Sequence, residues 1–356
     1  VLKDASATAV FGAKGANGVI LVTTRGGKEG KPVMKMNISQ GFNFATRLPA
    51  HISAYDTALG WNVAMMNSMN YANMYSEADL AEFANPSSAI NALRYPDINW
   101  FDELLKDVAN TTDANLNISG GTRKARYFIS LGYKNEGSIF EDSELYGFGN
   151  YGYDRFNYRA NLDFNVTSST ILSFKVGGDI ASRLSPGTDP MRSLYGAATI
   201  SYPINYPAWL LEQVPDPSAE TASGIRLVDS ARSGSYFLNP YNSLNNASFR
   251  KYATSNLYTD LLLKQDLDFI TEGLSINGKF SFSTSMTRLA ESLSASPIKY
   301  YFDWSIYDSG TGNPWLPESY STNAVVEDPP YLPQQGNLSS NSYTMYWEAS
   351  LAYDRT

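Results

Sequence analysis

From Phe156 to Val166 the chain alternates. Phe156, Tyr158, Ala160, Leu162, Phe164 and Val166 fall on one face, and Asn157, Arg159, Asn161, Asp163 and Asn165 on the other. A helix would scatter these sets around its circumference, whereas a strand separates them completely. The pattern recurs along the chain. Met34, Met36, Ile38, Phe42 and Phe44 oppose Lys35, Asn37, Ser39 and Asn43. Ala125, Tyr127, Ile129, Leu131 and Tyr133 oppose Arg126, Ser130 and Lys134. Leu172, Phe174, Val176 and Ile180 oppose Ser173, Lys175 and Asp179. Leu257, Leu261, Leu263, Leu267 and Phe269 oppose Asp260, Lys264, Asp266 and Asp268, and Leu274, Ile276, Phe280 and Phe282 oppose Ser275, Asn277, Lys279 and Ser281. Near the end, Met345, Trp347, Ala349, Leu351 and Tyr353 oppose Thr344, Glu348, Ser350 and Asp354. With a shorter strand over Ala114 to Ser119, about eight strands are expected, several reaching the ~9–11 residues that cross a bilayer.

The connections alternate in length. Gly120–Arg123, Thr167–Thr170 and Thr271–Gly273 are short, while about 47–112, 136–153, 185–248 and 290–342 are long. Short turns at one end and long loops at the other is the outer-membrane barrel arrangement. Helical spacing within the loops predicts helices over Tyr55 to Asn70, Ser76 to Ala84 and Trp100 to Val108. Another is expected from Pro190 to Ile200, with Asp189 as its cap. Met65, Met66, Met69 and Met74 read as packing residues of a loop helix.

Composition fits this architecture. Charged residues are 17% of the chain, below the ~25% typical of soluble domains. No segment approaches the ~18 apolar residues of a spanning helix, and mean hydropathy is −0.29. A membrane protein of this kind crosses with strands, whose alternation keeps mean hydropathy low. The 25 tyrosines suit membrane interfaces and sugar-binding surfaces alike. A net charge of −8 argues against nucleic acid and polybasic membrane patches. There is no Cys and the one His is His51, so no thiol or His-rich metal site and no Ser/His/Asp or Cys/His catalytic set is expected. Asp216, Glu220 and Asp229 lack the spacing of a calcium loop. No cofactor and no enzymatic activity are expected.

The first residues add a second kind of signal. Asp4 or Ser6 can cap a short alanine-rich turn, Gly12 and Gly15 allow positive φ, Asn17-Gly18 is a tight-turn signal, and Val19 to Thr24 reads as a strand. Any α/β corner could carry these features. The run from Val1 to Arg25 nevertheless closely resembles the end of the plug domain in SusC/RagA-type TonB-dependent outer-membrane transporters, with Lys3, Asp4, Ser6, Gly12, Gly15, Asn17 and Gly18 as its motif residues. The resemblance continues in order through Asp97-Ile98-Asn99-Trp100-Phe101-Asp102-Glu103-Leu104, Asn117-Ile118-Ser119-Gly120-Gly121, Ala125 to Tyr133, Arg155 to Asp163, Gln265 to Ile270 with Gly273 to Ser275, and Tyr353-Asp354-Arg355-Thr356.

What the resemblance implies is an all-β membrane protein: part of a transmembrane antiparallel β-barrel, about eight strands of a larger one. Residues 1–30 would be the C-terminal part of an α/β plug, and 31–356 the N-terminal part of the barrel with its helix-bearing outer loops. Barrels of this type have ~22 strands around a plugged lumen, so the chain is expected to begin inside the plug and to leave two sheet edges open. The implied role is TonB-dependent uptake of oligosaccharides or peptides across the bacterial outer membrane, with a SusD-like surface lipoprotein over the long loops and TonB acting on the plug. A non-transporting binding or adhesion protein on the same scaffold is the alternative. Tyr202, Tyr206, Trp209, Trp304 and Trp315 are candidates for contact with substrate or partner, packing within the loops being the competing role.

Overall fold

Eight long strands hydrogen-bond in sequence order into one antiparallel sheet, β1-β2-β3-β4-β5-β6-β7-β10. They are β1 (Gly30–Asn43), β2 (Ala109–Gly121), β3 (Ala125–Gly137), β4 (Gly152–Asn165), β5 (Thr170–Pro186), β6 (Phe249–Asp266), β7 (Leu274–Ser292) and β10 (Gln334–Tyr353). A short hairpin, β8 (Tyr300–Phe302) with β9 (Trp315–Pro317), stands apart. The computed structural model describes residues 25–142, 151–186, 189–197, 200, 206–213, 240–245, 249–292, 300–317 and 334–354, together with Gly18 and Ile20. Among the described residues no helix is long and apolar enough to cross a membrane.

Register turns the alternation of each strand into a property of the whole sheet. Directly opposed residues of antiparallel strands share a face. Leu162, Phe174, Leu261, Phe280 and Trp347 are opposed strand by strand. Four residues along β4 from Leu162, Met36, Leu116, Leu131 and Tyr158 do the same. The result is a continuous apolar surface, with Met36, Ile38, Phe156, Leu261 and Phe280 exposed and Trp347 81% exposed. Water-facing apolar patches seldom exceed a few hundred Å²; a sheet face of this extent is a lipid face. The opposite face is polar in the same row-by-row way: Asn37, Asn115, Gly132, Asn157, Asp179 and Asn256 form one row.

The connection lengths keep their parity. Turns of a few residues join β2 to β3, β4 to β5 and β6 to β7, and every long connection lies at the other end. The strands have 13 to 20 residues, so they run beyond a bilayer into the loop side. β2 starts at Ala109, β5 continues to Pro186 and β10 starts at Gln334, all inside stretches read as loop from sequence. β1 and β10 are the sheet edges, each paired on one side only among the described residues, so these strands form an open wall of a barrel.

The long connections hold helices α1 (Ala54–Asn67), α2 (Glu77–Ala84), α3 (Ala89–Arg94), α4 (Trp100–Leu104), α5 (Pro190–Gly196), α6 (Ala208–Leu211), α7 (Pro240–Asn245) and α8 (Trp304–Ser309). α5 begins as its sequence indicates: Asp189 accepts a hydrogen bond from the Met191 amide, and Pro190 occupies the first turn. The Asp97–Leu104 motif has a structural task. Asp97 Oδ1 accepts from the Ala54 amide and lies 3.0 Å from His51 Nε2, fixing the start of α1. Trp100 and Leu104 are buried with Leu105, Tyr151, Leu194 and Leu244 in a core shared by three loops. Two of the four methionines depart from the packing role expected of them. Met66 and Met69 are exposed, because α1 buries its small face of Ala54, Ala58 and Asn62 instead, while Met65 and Met74 are half-buried.

Candidate functional site

The polar face of the sheet lines an open cavity of about 850 Å³ against β2 to β6, centred on β4 and β5. Its lining is built by strand alternation. Asn157, Arg159 and Asn161 are successive polar-face positions of β4, and Lys175, Gly177 and Asp179 face them from β5. Tyr258 and Asp260 continue the same rows on β6.

The chain entering the sheet from its first segment passes along this face. Asn161, 5% exposed, donates from Nδ2 to the Arg25 carbonyl at 2.6 Å, and Arg25 lines the cavity. Gly27 then lies directly on β3, where a Cβ would stand 2.3 Å from the Tyr127 nitrogen, a spacing no side chain can meet. The link is therefore seated on the barrel wall, and a glycine is what allows it so close.

The charges of the lining are unequally matched. Arg155 lies 3.4 Å from Asp179, whose carboxylate also accepts from Asn256. Asp260 accepts from Ser281 Oγ at 2.5 Å. Arg25, Arg159 and Lys175 line the same space and have no ion pair among the described residues. In a chain of net charge −8, this wall carries local positive charge. Asn157 Oδ1 is buried with no hydrogen-bond partner among the described residues. Tyr258, 55% exposed, is an aromatic on the polar face, and the position beside it in register is Gly177.

A second assembly sits among the loops. Phe302 contacts Tyr206 at 5.6 Å, Trp304 at 4.7 Å, Tyr307 at 5.5 Å and Trp315 at 5.1 Å between ring centroids. Trp315 is 1% exposed and donates from Nε1 to the Leu210 carbonyl. Tyr206 is buried too. Arg94 of α3 lies over the Trp304 ring at 5.7 Å and pairs with Asp308 at 2.7 Å, tying the first outer loop to this knot. Asp303 caps α8; the hydrogen bond from the Ser305 hydroxyl, with those from the Ser305 and Ile306 amides, outweighs desolvation and holds its carboxyl below the usual range.

Of the aromatic candidates, Tyr206, Trp304 and Trp315 are thus brought together as loop packing, Trp209 stands 50% exposed on α6, and Tyr202 lies outside the described residues. Of the plug motif, Gly18 has φ +95°, as a tight turn after Asn17 would require, while Lys3, Asp4, Ser6, Gly12, Gly15 and Asn17 lie outside the described residues. So do Asp216, Glu220 and Asp229. Among the described residues no group of His, Cys, Asp and Glu is placed to hold a metal. Tyr258, Arg25 and Asn157 were not singled out from sequence; the signal available was an aromatic in the polar register of a strand.

No protein-family model matches the chain. Among curated proteins it is similar to TonB-dependent receptors P26 and P3 of Formosa agariphila, at 29% and 30% identity over 49% and 50% of the chain. It is also similar to TonB-dependent receptor SusC of Bacteroides thetaiotaomicron, at 31% over 41% of the chain. The matched stretches span 16%, 14% and 12% of those relatives' own lengths. In fold it is similar to the RagAB peptide importer in its open-open and closed-closed states, with TM-scores of 0.53 and 0.52 and identities of 19% and 18%. Those matches cover 82% and 81% of this chain and 32% of each importer chain.

Proposed function

We infer that this chain, which carries the sequence motifs and the partial barrel of a SusC/RagA-type TonB-dependent transporter and is an outer-membrane protein, serves the energised import of nutrients. The cargo class we propose is oligosaccharides or peptides. The observation that carries the reading is the two-sided sheet: an uninterrupted apolar face outside, a polar wall around a cavity inside, and all long connections at one end. Such a wall suits a lumen through which polar cargo passes.

In this reading residues 1–30 end a plug that closes the lumen at rest. Lys3, Asp4, Ser6, Gly12, Gly15, Asn17 and Gly18 form its last turns, and the seated link at Arg25 and Gly27 joins it to β1. TonB acts on that plug from the periplasm. A SusD-like lipoprotein covers the loop end. There the exposed Trp209, with Tyr202 near it in sequence, and the half-buried Trp304 offer rings to cargo or partner; Tyr206 and Trp315 hold the knot on which Trp304 packs.

The test is accumulation of labelled oligosaccharides and peptides by cells that have the gene, lack it, or lack TonB. Both deletions should reduce accumulation to background. Surface binding that persists without any accumulation, indifferent to TonB, would instead mark an adhesion protein.

A further inference from the structure

We propose that the lumen wall at β4–β6 holds a subsite for an acidic sugar unit, one bearing a carboxylate or sulfate. The inference deepens the import reading and rests on that face being the cargo path. Arg159 and Lys175 are its anion-binding groups, Arg25 of the link borders it, and Tyr258 is its platform.

The geometry is that of adjacent rows. Arg159 and Asn161 are neighbours on the polar face of β4, Lys175 is opposed to Asn161, and Arg25 is bonded to Asn161 through its carbonyl. Arg159 and Lys175 therefore flank one buried amide that donates to the Arg25 carbonyl, and all three residues line the cavity without an ion pair among the described residues. Of the two acids of the lining, Asp179 is engaged by Arg155 and Asn256, and Asp260, directly opposite Lys175 in register but without an ion pair to it, accepts from Ser281. A guanidinium presents a planar fork that matches carboxylate or sulfate oxygens. Such groups are stronger in a partly enclosed site than in water.

The remaining features select a hydroxylated ring. Tyr258 lies in the same row as Arg159 with Gly177 between them, so no side chain stands over the gap between ring and guanidinium. An exposed tyrosine ring suits the apolar face of a sugar while its hydroxyl stays wet.

The test is the amine-acetylation rate of Lys175, read by mass spectrometry on the full-length protein in detergent, at matched ionic strength. Probes are sodium chloride, sodium sulfate, hexagalacturonate, maltohexaose and hexaglutamate, with Lys124 in the β2–β3 turn as internal control. Hexagalacturonate should protect Lys175, sulfate should do so more weakly, and maltohexaose should not. Arg159→Gln should weaken hexagalacturonate about tenfold, equivalent to ~1.4 kcal/mol. Tyr258→Ala should weaken hexagalacturonate and leave sulfate unchanged, a split that general misfolding would not produce. Equal protection by hexaglutamate would overturn the assignment in favour of acidic peptides. Protection by no probe would overturn the subsite, as would Lys175 unreactive in chloride because a carboxylate elsewhere in the protein already pairs with it. None of these readouts needs TonB or transport, so failure here leaves the uptake experiment to judge the import reading separately.

Discussion

Asp79 in α2 receives hydrogen bonds from the Tyr95 hydroxyl at 2.7 Å, the Ser76 hydroxyl at 2.7 Å and the Ser76 amide at 2.9 Å. Burial alone would raise its carboxyl, but these bonds and the Arg94 charge outweigh it, so its pKa is lowered. Tyr95 is pushed up to about 12, first by burial and then by donating to Asp79. The signs define a window. A lowered carboxyl contributes stability above its unfolded pKa of ~4 that is lost as pH falls through the folded value. A raised phenol contributes below its unfolded pKa of ~10 that is lost as pH rises through 12. Protection of the α2 amides, taken as the exchange rate relative to the intrinsic rate at each pH, should therefore be greatest between about pH 4 and 10 and fall outside that range. Tyr95→Phe should cost ~1 kcal/mol locally and move the acid limb to higher pH. An acid limb at the same pH in the variant would mean that Tyr95 does not tune Asp79.

Whole elements depend on single rings and single gaps in the same way. The β8–β9 hairpin, α6 and α8 meet around Phe302 and Trp315. Trp315→Ala should cost ~3–5 kcal/mol to this knot. Amide exchange should rise throughout 206–213 and 300–317 while the sheet stays protected; a uniform rise would mean that the knot and the wall unfold together. Gly27→Ala places a Cβ against the Tyr127 backbone and should cost ~1–3 kcal/mol by lifting the link off β3. A structure of that variant with Arg25 still bonded to Asn161 would refute the close-seat account. The strands were readable in sequence because a half-lipid, half-water sheet imposes a strict period of two. Where they rise past the membrane that pressure ends. The first residues of β10, Gln334-Gln335-Gly336-Asn337, carry no alternation although they pair with β7. The aromatic loop residues were visible as candidates, but Trp209 and Trp315 read alike in sequence. Only the packing of distant loops separates an exposed ring from a buried one. Tyr258 was hidden for the opposite reason, since tyrosine is at home on both faces.

The molecule as a whole is defined by which face of the sheet meets lipid, and adjacent leucines on β6 can test that. Leu261 is opposed to Phe174 and Phe280 on the apolar face; Leu262 is opposed to Ser173 and Lys279 on the polar one. Leu261 is five positions from the end of β6 at Asp266, about 17 Å along the strand. At a tilt of ~40° that is about 13 Å in height, half of a ~25 Å apolar band. Leu261→Arg thus puts a charge near the bilayer midplane and should cost ~2–4 kcal/mol. Leu262→Arg puts the same charge into a wet wall, directly opposite Lys279 and two strands from Asp163 and Glu348 in the same polar row, and should still cost less than the charge in lipid. The measurement is urea unfolding of both full-length variants in lipid vesicles. Residue type, strand and depth are nearly identical, so the difference between them isolates the environment of each face. Equal costs would mean that the apolar face is covered by protein rather than lipid; a larger cost at Leu262 would turn the wall inside out and move the cavity of β4 and β5 away from any import path.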